Sequence, residues 1–250
     1  MNAFLAALQF LTVLPVKINK PDSRQIAYSA AFFPLAGFFI GLFLSGAGIF
    51  FSGLGMPALA VSIIIVVSLV AITGGLHLDG LADTADAFLS GKNKEEMLLI
   101  MRDPHIGTMG VLSVVSVLLL KVGLLLSLTG FFKVEALILA MVLSRWSATL
   151  GMRVFPYARK EGKAALFIQG MDHKIFLLST FSAFICAFLF GFSGIFSLFA
   201  CGIGVFLIGN IAKRKISGIT GDILGATIEL TEVIVLATVF LTKELNIWIR

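Results

Sequence analysis

An all-α, polytopic bundle of membrane-spanning helices is the fold that this 250-residue sequence predicts, and three observations predict it. Hydrophobic residues make up 58% of the chain and charged residues only 13%, against about 25% charged in an ordinary soluble domain. Twenty-four Phe and 25 Gly stand against two Tyr, a balance suited to side chains that meet lipid more than water. Apolar runs near the roughly 20 residues needed to cross a bilayer recur along the whole length, and the mean hydropathy is +1.04. A soluble enzyme, a disordered chain and a disulfide scaffold are thereby excluded. Residues 1–250 read as a single membrane-embedded domain.

The elements follow in chain order. Residues 4–15 are apolar but too short to span, and are expected as an interfacial helix. The opening MNAFLAALQFLTVLPVK has neither a basic n-region nor a small-residue cleavage site, so no removable signal peptide is expected. Long apolar runs then cover Ala27–Phe51, Pro57–Thr73, Ile106–Phe132, Glu135–Leu150, Ile175–Phe190, Ile195–Ile211 and Ala226–Leu241. Six to seven transmembrane helices are predicted. The polar stretch from Gly74 to His105 interrupts them, and its KNKEEMLLIM segment (residues 92–101) reads as a short amphipathic surface helix. Cys186 and Cys201 lie inside apolar runs without CxxC or zinc spacing and read as packing or lipid-facing residues.

Charge sorts with this topology. Lys17, Lys20, Arg24, Lys92, Lys94, Arg102, Arg145, Arg153, Arg159, Lys160, Lys163, Lys174, Lys213, Arg214 and Lys215 fall on one side. Lys133, Lys243 and Arg250 fall on the other, and Lys121 sits within a span. The richer side is cytoplasmic by the positive-inside rule, which places the protein in the cell (inner) membrane. The net charge of +5 is therefore a matter of orientation, and no nucleic-acid partner is expected. The acidic residues gather on the same side, so the working surface faces the cytoplasm.

Three polar segments carry the chemistry. In GGLHLDGLADTADAF (residues 74–88), a helix places Asp79, Asp83 and Asp86 at i, i+4 and i+7 on one face. Three stacked carboxylates repel one another, and Mg²⁺ favours such oxygen ligands together with phosphate oxygens. All three are candidate metal ligands. A solvated helix end is the plainer reading, but Gly80, Ala82, Ala85 and Ala87 leave room for a close ligand. His77 alone reads as structural; beside a carboxylate cluster it is a candidate for phosphate contact or for orienting a carboxylate. In MRDPHIGTMG (residues 101–110), Pro104 and Gly107 break the helix and put Arg102, Asp103 and His105 on a shaped loop. In KRKISGITGDILGATIELTE (residues 213–232), Gly218, Thr220, Gly221, Asp222 and Gly225 precede a span containing Glu229 and Glu232. Backbone amides at such a helix start can receive phosphate, and a Glu within a span is a functional candidate by default. Arg145, Arg153, Tyr157 and Arg159 complete the set, the arginines being suited to phosphate by their fork geometry. Acids, basic residues and a membrane face together point to Mg²⁺-assisted transfer of a phosphate-linked group.

These segments, GGLHLDGLADTADAF, MRDPHIGTMG and KISGITGDILGATIE, resemble in order and spacing those of the cobalamin synthase family, adenosylcobinamide-GDP ribazoletransferase. LQFLTVLPV and LSRWSATL are also similar to that family, and the resemblance spans essentially the whole chain. It implies transfer of the phospho-cobinamide moiety of adenosylcobinamide-GDP to α-ribazole or its 5′-phosphate, with release of GMP, as the last step of nucleotide-loop assembly. Carried onto this sequence, it implies Asp79, Asp83 and Asp86 as metal ligands or as two ligands and a base. It further implies His77, Asp103 and His105 near phosphate or proton, Arg102, Arg145, Arg159 and Thr220 at the substrate, and Asp222 either completing the metal site or at the substrate. Membrane lipids, a second copy of the chain or other corrinoid-assembly enzymes are the expected partners. Two rivals stand beside it. A CDP-alcohol phosphotransferase would show Arg after its DG pair, where this chain reads LADTAD. A transporter would carry acids near mid-membrane in both of two repeated halves, and no repeat is visible.

Overall fold

In the computed structural model, residues 2–16, 22–159, 161, 162 and 164–248 are described, and they form helices with no strand among them. Lys17, Lys20, Lys160, Lys163 and Arg250, counted in the charge sorting, lie outside the described residues. Helix α1 (Asn2–Leu11) is the expected short apolar helix. Helix α2 (Ser23–Ser29) starts where the Asp22 carboxylate accepts the Gln25 N–H at 2.7 Å. A 3-10 turn then leads into α3 (Phe33–Gly53). After it come α4 (Ala58–Thr73), α5 (Leu76–Leu89) and α6 (Lys94–Ile100). A second set of long helices follows, α7 (Thr108–Ser127) and α8 (Gly130–Val154), then the short α9 (Ala165–Gln169). The chain ends in α10 (His173–Leu189), α11 (Gly191–Ile216) and α12 (Gly221–Trp248).

All seven apolar runs are largely helical, although the helix of the Ile106–Phe132 run stops at Ser127 and the run's last residues open the following helix. Five helical stretches, carried by α3, α7, α8, α11 and α12, are long and apolar enough to cross a membrane. Helix α4 passes the same test only together with α5, which is bent away from it by 90°. Helix α10 has 17 residues and stays below the usual spanning length. The bend is made by Gly74 and Gly75 at φ +62° and +71°, a conformation that glycine adopts without the clash a Cβ would bring. It turns α5 sharply from the direction of α4 and packs it against α12 and α7.

Helix α8 is the central post. Every residue from Glu135 to Met152 is buried, whereas α7 and α11 present Leu119 and Phe199, each 67% exposed, to the lipid. A helix surrounded by protein can carry polar groups that a lipid-facing one cannot, and α8 does so with Ser144, Arg145, Ser147 and Thr149. Its neighbour α3 comes close because Gly37 and Gly41 face it. A Cβ on Gly37 would collide with the Met141 carbonyl, and one on Gly41 would lie 2.8 Å from the Ile138 Cα. Cys186 and Cys201 are buried packing residues.

One expectation is corrected here. Arg145, sorted among the surface cations, is fully buried nine residues before the end of α8. It pairs with Glu232 of α12, which also pairs with Lys121 of α7; Lys121 in turn meets Glu229. Two cations and two anions thus neutralise one another in the interior and join three helices. A burial cost this large is met only by such pairing.

Candidate active site

The site is built where α5 crosses the start of α12. Gly80 and Gly225 make the crossing possible: a Cβ at Gly80 would lie 2.7 Å from the Asp222 carbonyl oxygen, and one at Gly225 would lie 3.2 Å from that of His77. Backbone therefore meets backbone, and Asp79 and Asp83 of α5 are brought to the same cavity as Asp222. The cavity is about 460 Å³ and is also lined by His77, Arg102, Asp103, His105, Tyr157 and Arg159. Apolar residues, among them Phe10, Leu11, Phe33, Ala148 and Met152, complete its lining.

The loop after α8 reaches this place through the loop before α12. Ala158 N–H donates to the Ile219 carbonyl at 2.8 Å, and Ile219 N–H donates to that of Pro156 at 2.9 Å. This two-bond clasp presents Arg159 to Asp222, whose Oδ2 lies 2.9 Å from the guanidinium. Thr220 also donates to Asp222 Oδ2 at 3.2 Å, and its hydroxyl accepts the Ile223 N–H to cap α12. Asp222 Oδ1 takes no hydrogen bond from the described residues. Among them, none donates to the Asp79 or Asp83 carboxylate either. Burial first, then the neighbouring charges of Asp79, Asp222 and Asp86, push the Asp83 carboxyl up to about 7. This corner of the cavity is short of positive charge.

The three stacked aspartates are not brought to one cavity: Asp79 and Asp83 line it and Asp86 does not. Asp86 is turned to the next helix, where its two oxygens accept the Gly107 and Gly110 N–H groups, each at 2.7 Å. It caps α7 from 21 residues away in the chain, satisfying amides that a helix start leaves open. Among the described residues, no three His, Cys, Asp or Glu side chains form a ready-made metal cage. What the cavity offers instead is a row of oxygen donors, Asp79, Asp83 and Asp222, without protein protons on the first two. Those donors and their uncompensated charge fit a hard divalent cation of the Mg²⁺ kind, which keeps several waters and substrate oxygens as further ligands.

The other expected residues divide in two. Arg102 and Arg159 line the cavity, as do Asp103 and His105 at its mouth. Asp103 accepts from His105 Nδ1 at 2.6 Å and from the His105 backbone N–H, which holds its carboxyl below the usual range. His77 lines the cavity too; it is 3% exposed and neither ring nitrogen has a hydrogen-bond partner. Burial first, then the Arg145 charge, pull its pKa down to about 3, so the imidazole is neutral. Arg145 and Thr220 do not line the cavity: the first belongs to the buried ion network and the second to the α12 cap. Sequence reasoning missed the apolar contributors Phe10, Phe33 and Met152, which no polar signal marks.

The close crossing gives a direct test. Gly80→Ala is expected to push α5 from α12 and to separate Asp79 from Asp222, lowering kcat/KM by about 100-fold. Its stability cost is about 1–3 kcal/mol. Gly46→Ala, with nothing within 4 Å of the added Cβ, serves as the control with both values unchanged. Enzyme kinetics and thermal melting in detergent check this, and an unimpaired Gly80→Ala would refute the crossing.

Comparison with known proteins agrees with the motif resemblance. A family model described as cobalamin-5-phosphate synthase matches residues 3–240. The adenosylcobinamide-GDP ribazoletransferase of Desulforamulus reducens is 33% identical over 241 residues, covering 96% of both chains. The one from Pseudomonas syringae pv. syringae is 38% identical over 248 residues, covering 96% of this chain and 100% of the relative. That of Clostridioides difficile is 36% identical over 256 residues, covering 96% and 98%. No solved structure matches. A match over nearly the whole length, shared with full-length relatives of one name, places the chain as an enzyme of the cobalamin-5-phosphate synthase family.

Proposed function

We propose that this chain transfers the phospho-cobinamide moiety of adenosylcobinamide-GDP to α-ribazole or its 5′-phosphate, releasing GMP. The observation that carries the reading is the meeting of Asp79, Asp83 and Asp222 with Arg102 and Arg159 around one cavity. The ribose hydroxyl of the acceptor attacks the phosphorus that bears the cobinamide. The bond from that phosphorus to the bridging oxygen breaks, and GMP leaves with the bridging oxygen. Asp83 takes the hydroxyl proton. Arg102 and Arg159 hold the guanylyl phosphate by paired N–H donors. Arg159 exchanges its present partner Asp222 for the incoming phosphate.

Asp79, Asp83 and Asp222 are the residues proposed to hold Mg²⁺. A bound cation there neutralises charge on the diphosphate. Asp103 and His105, exposed on the mouth loop, are proposed to orient the phosphates from outside. His77 lies too deep for that role. The enzyme is proposed to sit in the cell membrane with this face cytoplasmic, where charged substrates arrive. A CDP-alcohol phosphotransferase and a transporter remain the rivals to be tested against.

The deciding experiment supplies purified protein in detergent or liposomes with adenosylcobinamide-GDP and α-ribazole, with and without Mg²⁺. Equal amounts of GMP and cobalamin, dependent on the cation, are the expected products. If folded protein yields neither, with α-ribazole or with its 5′-phosphate, the reading falls, and CDP-alcohols and ion flux become the next assays.

A further inference from the structure

Tyr157 has no part in the transfer as described so far, yet it stands among the groups that carry it. It lines the cavity together with Arg102, Arg159, Asp79 and Asp222. Its placement follows from the clasp between the two loops. Tyr157 forms a parallel bridge with Ile219, and the Ala158 and Ile219 N–H bonds hold the segment extended. Side chains alternate along an extended backbone, so residues 157 and 159 face one way and Ala158 the other. Tyr157 and Arg159 accordingly line the cavity, and Ala158 does not. The phenol is backed by Gly162, where a Cβ would lie 2.3 Å from the hydroxyl oxygen.

Tyr157 is half-buried, and its hydroxyl bonds to none of the described residues. Carboxylate acceptors line the same cavity, and the phenol donates to none of them. Asp222 Oδ2 is taken by Arg159 and Thr220 instead. A phenol keeps its proton at neutral pH and is therefore a donor. A donor fixed beside an arginine, with no protein acceptor, is placed for an acceptor that arrives with the substrate. Phosphate oxygens meet that description, since they are the anionic acceptors that Arg102 and Arg159 are suited to hold. A neutral hydroxyl adds a hydrogen bond there without repelling the two cations.

We propose that the Tyr157 hydroxyl donates to a phosphate oxygen of the leaving guanylyl group, beside the Arg159 guanidinium, as a further catalytic residue of the transfer. This rests on the transfer reading above and adds a neutral donor to its two arginines. When the bond from phosphorus to the bridging oxygen breaks, negative charge grows on the departing phosphate. A donor already fixed at that phosphate binds the departing group more strongly than the intact substrate, which lowers the barrier. Because one clasped segment presents both Tyr157 and Arg159, the two donors hold a constant spacing while the phosphate between them changes charge.

Tyr157→Phe tests this, because it removes the hydroxyl and keeps the ring against Gly162. The hydroxyl has no partner in the ligand-free protein, so the melting temperature without ligand is expected to be unchanged. Turnover is not: kcat is expected to fall about 10- to 100-fold, the size of one hydrogen bond to a charged group. The KM values for adenosylcobinamide-GDP and α-ribazole are expected to move less than about threefold, since the bond strengthens mainly in the transition state. Inhibition by added GMP, which carries the full charge of the departed phosphate, is expected to weaken about tenfold. Steady-state kinetics, product inhibition and thermal melting in detergent read these values. Four results overturn the assignment while wild type still makes GMP and cobalamin: an unchanged kcat, unchanged inhibition by GMP, a loss confined to the α-ribazole KM, or a lower melting temperature without ligand. Wild type that makes neither product overturns the reaction itself, and the assignment with it.

Discussion

Glu232→Leu is expected to lower stability by about 3–5 kcal/mol, enough to leave little folded protein in detergent. The side chain is fully buried, and it is the only charged partner of Arg145 among the described residues. Lys121 keeps Glu229 when Glu232 is gone, but Arg145 keeps no carboxylate. Its Nε and one terminal nitrogen already lack partners, so no spare acceptor is at hand to take over. The loss is thus one of stranded charge, and this can be separated from lost packing. Removing the stranded cation as well, in Glu232→Leu with Arg145→Met, leaves the neutral Lys121–Glu229 pair among apolar neighbours. The double variant is expected to regain at least half of the lost stability, as buried pairs replaced by apolar residues commonly do. Thermal melting and denaturant titration of single and double variants measure the difference. A double variant as unstable as the single would mean that the network holds α7, α8 and α12 by shape and hydrogen bonding rather than by charge balance.

That network also marks where sequence patterns stop being informative. The spans were legible because apolar runs are local: Glu135–Leu150 lies wholly inside α8 and Ala226–Leu241 inside α12. The break at Gly74–Gly75 was legible for the same reason. Arg145 was not, since the positive-inside rule sees only charge and position, and a cation paired inside the bundle looks the same as one at the surface. The cap of α7 was likewise hidden. Its cap is Asp86, which the helical spacing placed with Asp79 and Asp83 but which the fold turns toward Gly107 and Gly110. At the candidate site, the chemical types were readable from the residues, and their grouping only through the family resemblance. Asp222 joins Asp79 and Asp83 because Gly80 and Gly225 let two backbones touch, and a glycine's neighbour across a helix crossing is a property of the fold. Phe10 and Phe33, which line the cavity, were invisible because 24 Phe in a lipid-facing chain give no reason to single out two.

Asp83→Asn is expected to reduce turnover by about 10²–10⁴-fold, the range of a lost general base, and at the same time to make the cation-free protein more stable above neutral pH. The second effect follows from the site's charge. Asp83 has its carboxyl raised from 3.8 to about 7, first by burial and then by Asp79, Asp222 and Asp86. Between those two values the folded chain keeps a proton that the unfolded chain has released, so this group's contribution to stability falls as pH rises. The loss begins near pH 4, is complete above about pH 7, and reflects a carboxylate forced to ionise among others. Asparagine cannot ionise, so wild type and variant should melt alike in this respect at pH 4 and diverge in the variant's favour by pH 8. Mg²⁺ should raise the melting temperature of wild type far more at pH 8 than at pH 5, because it must displace the Asp83 proton at the lower value. The same ion should raise that of Asp83→Asn less. Melting curves at several pH values, with and without the cation, read all of this without any turnover. A variant that is inactive but no more stable at pH 8 would show that Asp83 is not held against its neighbours' charge. One that keeps more than a tenth of wild-type turnover would remove Asp83 from the reaction. A more stable, inactive enzyme is the outcome that ties the carboxylate cluster to function rather than to folding, because side chains kept only for structure do not stabilise the protein by being lost.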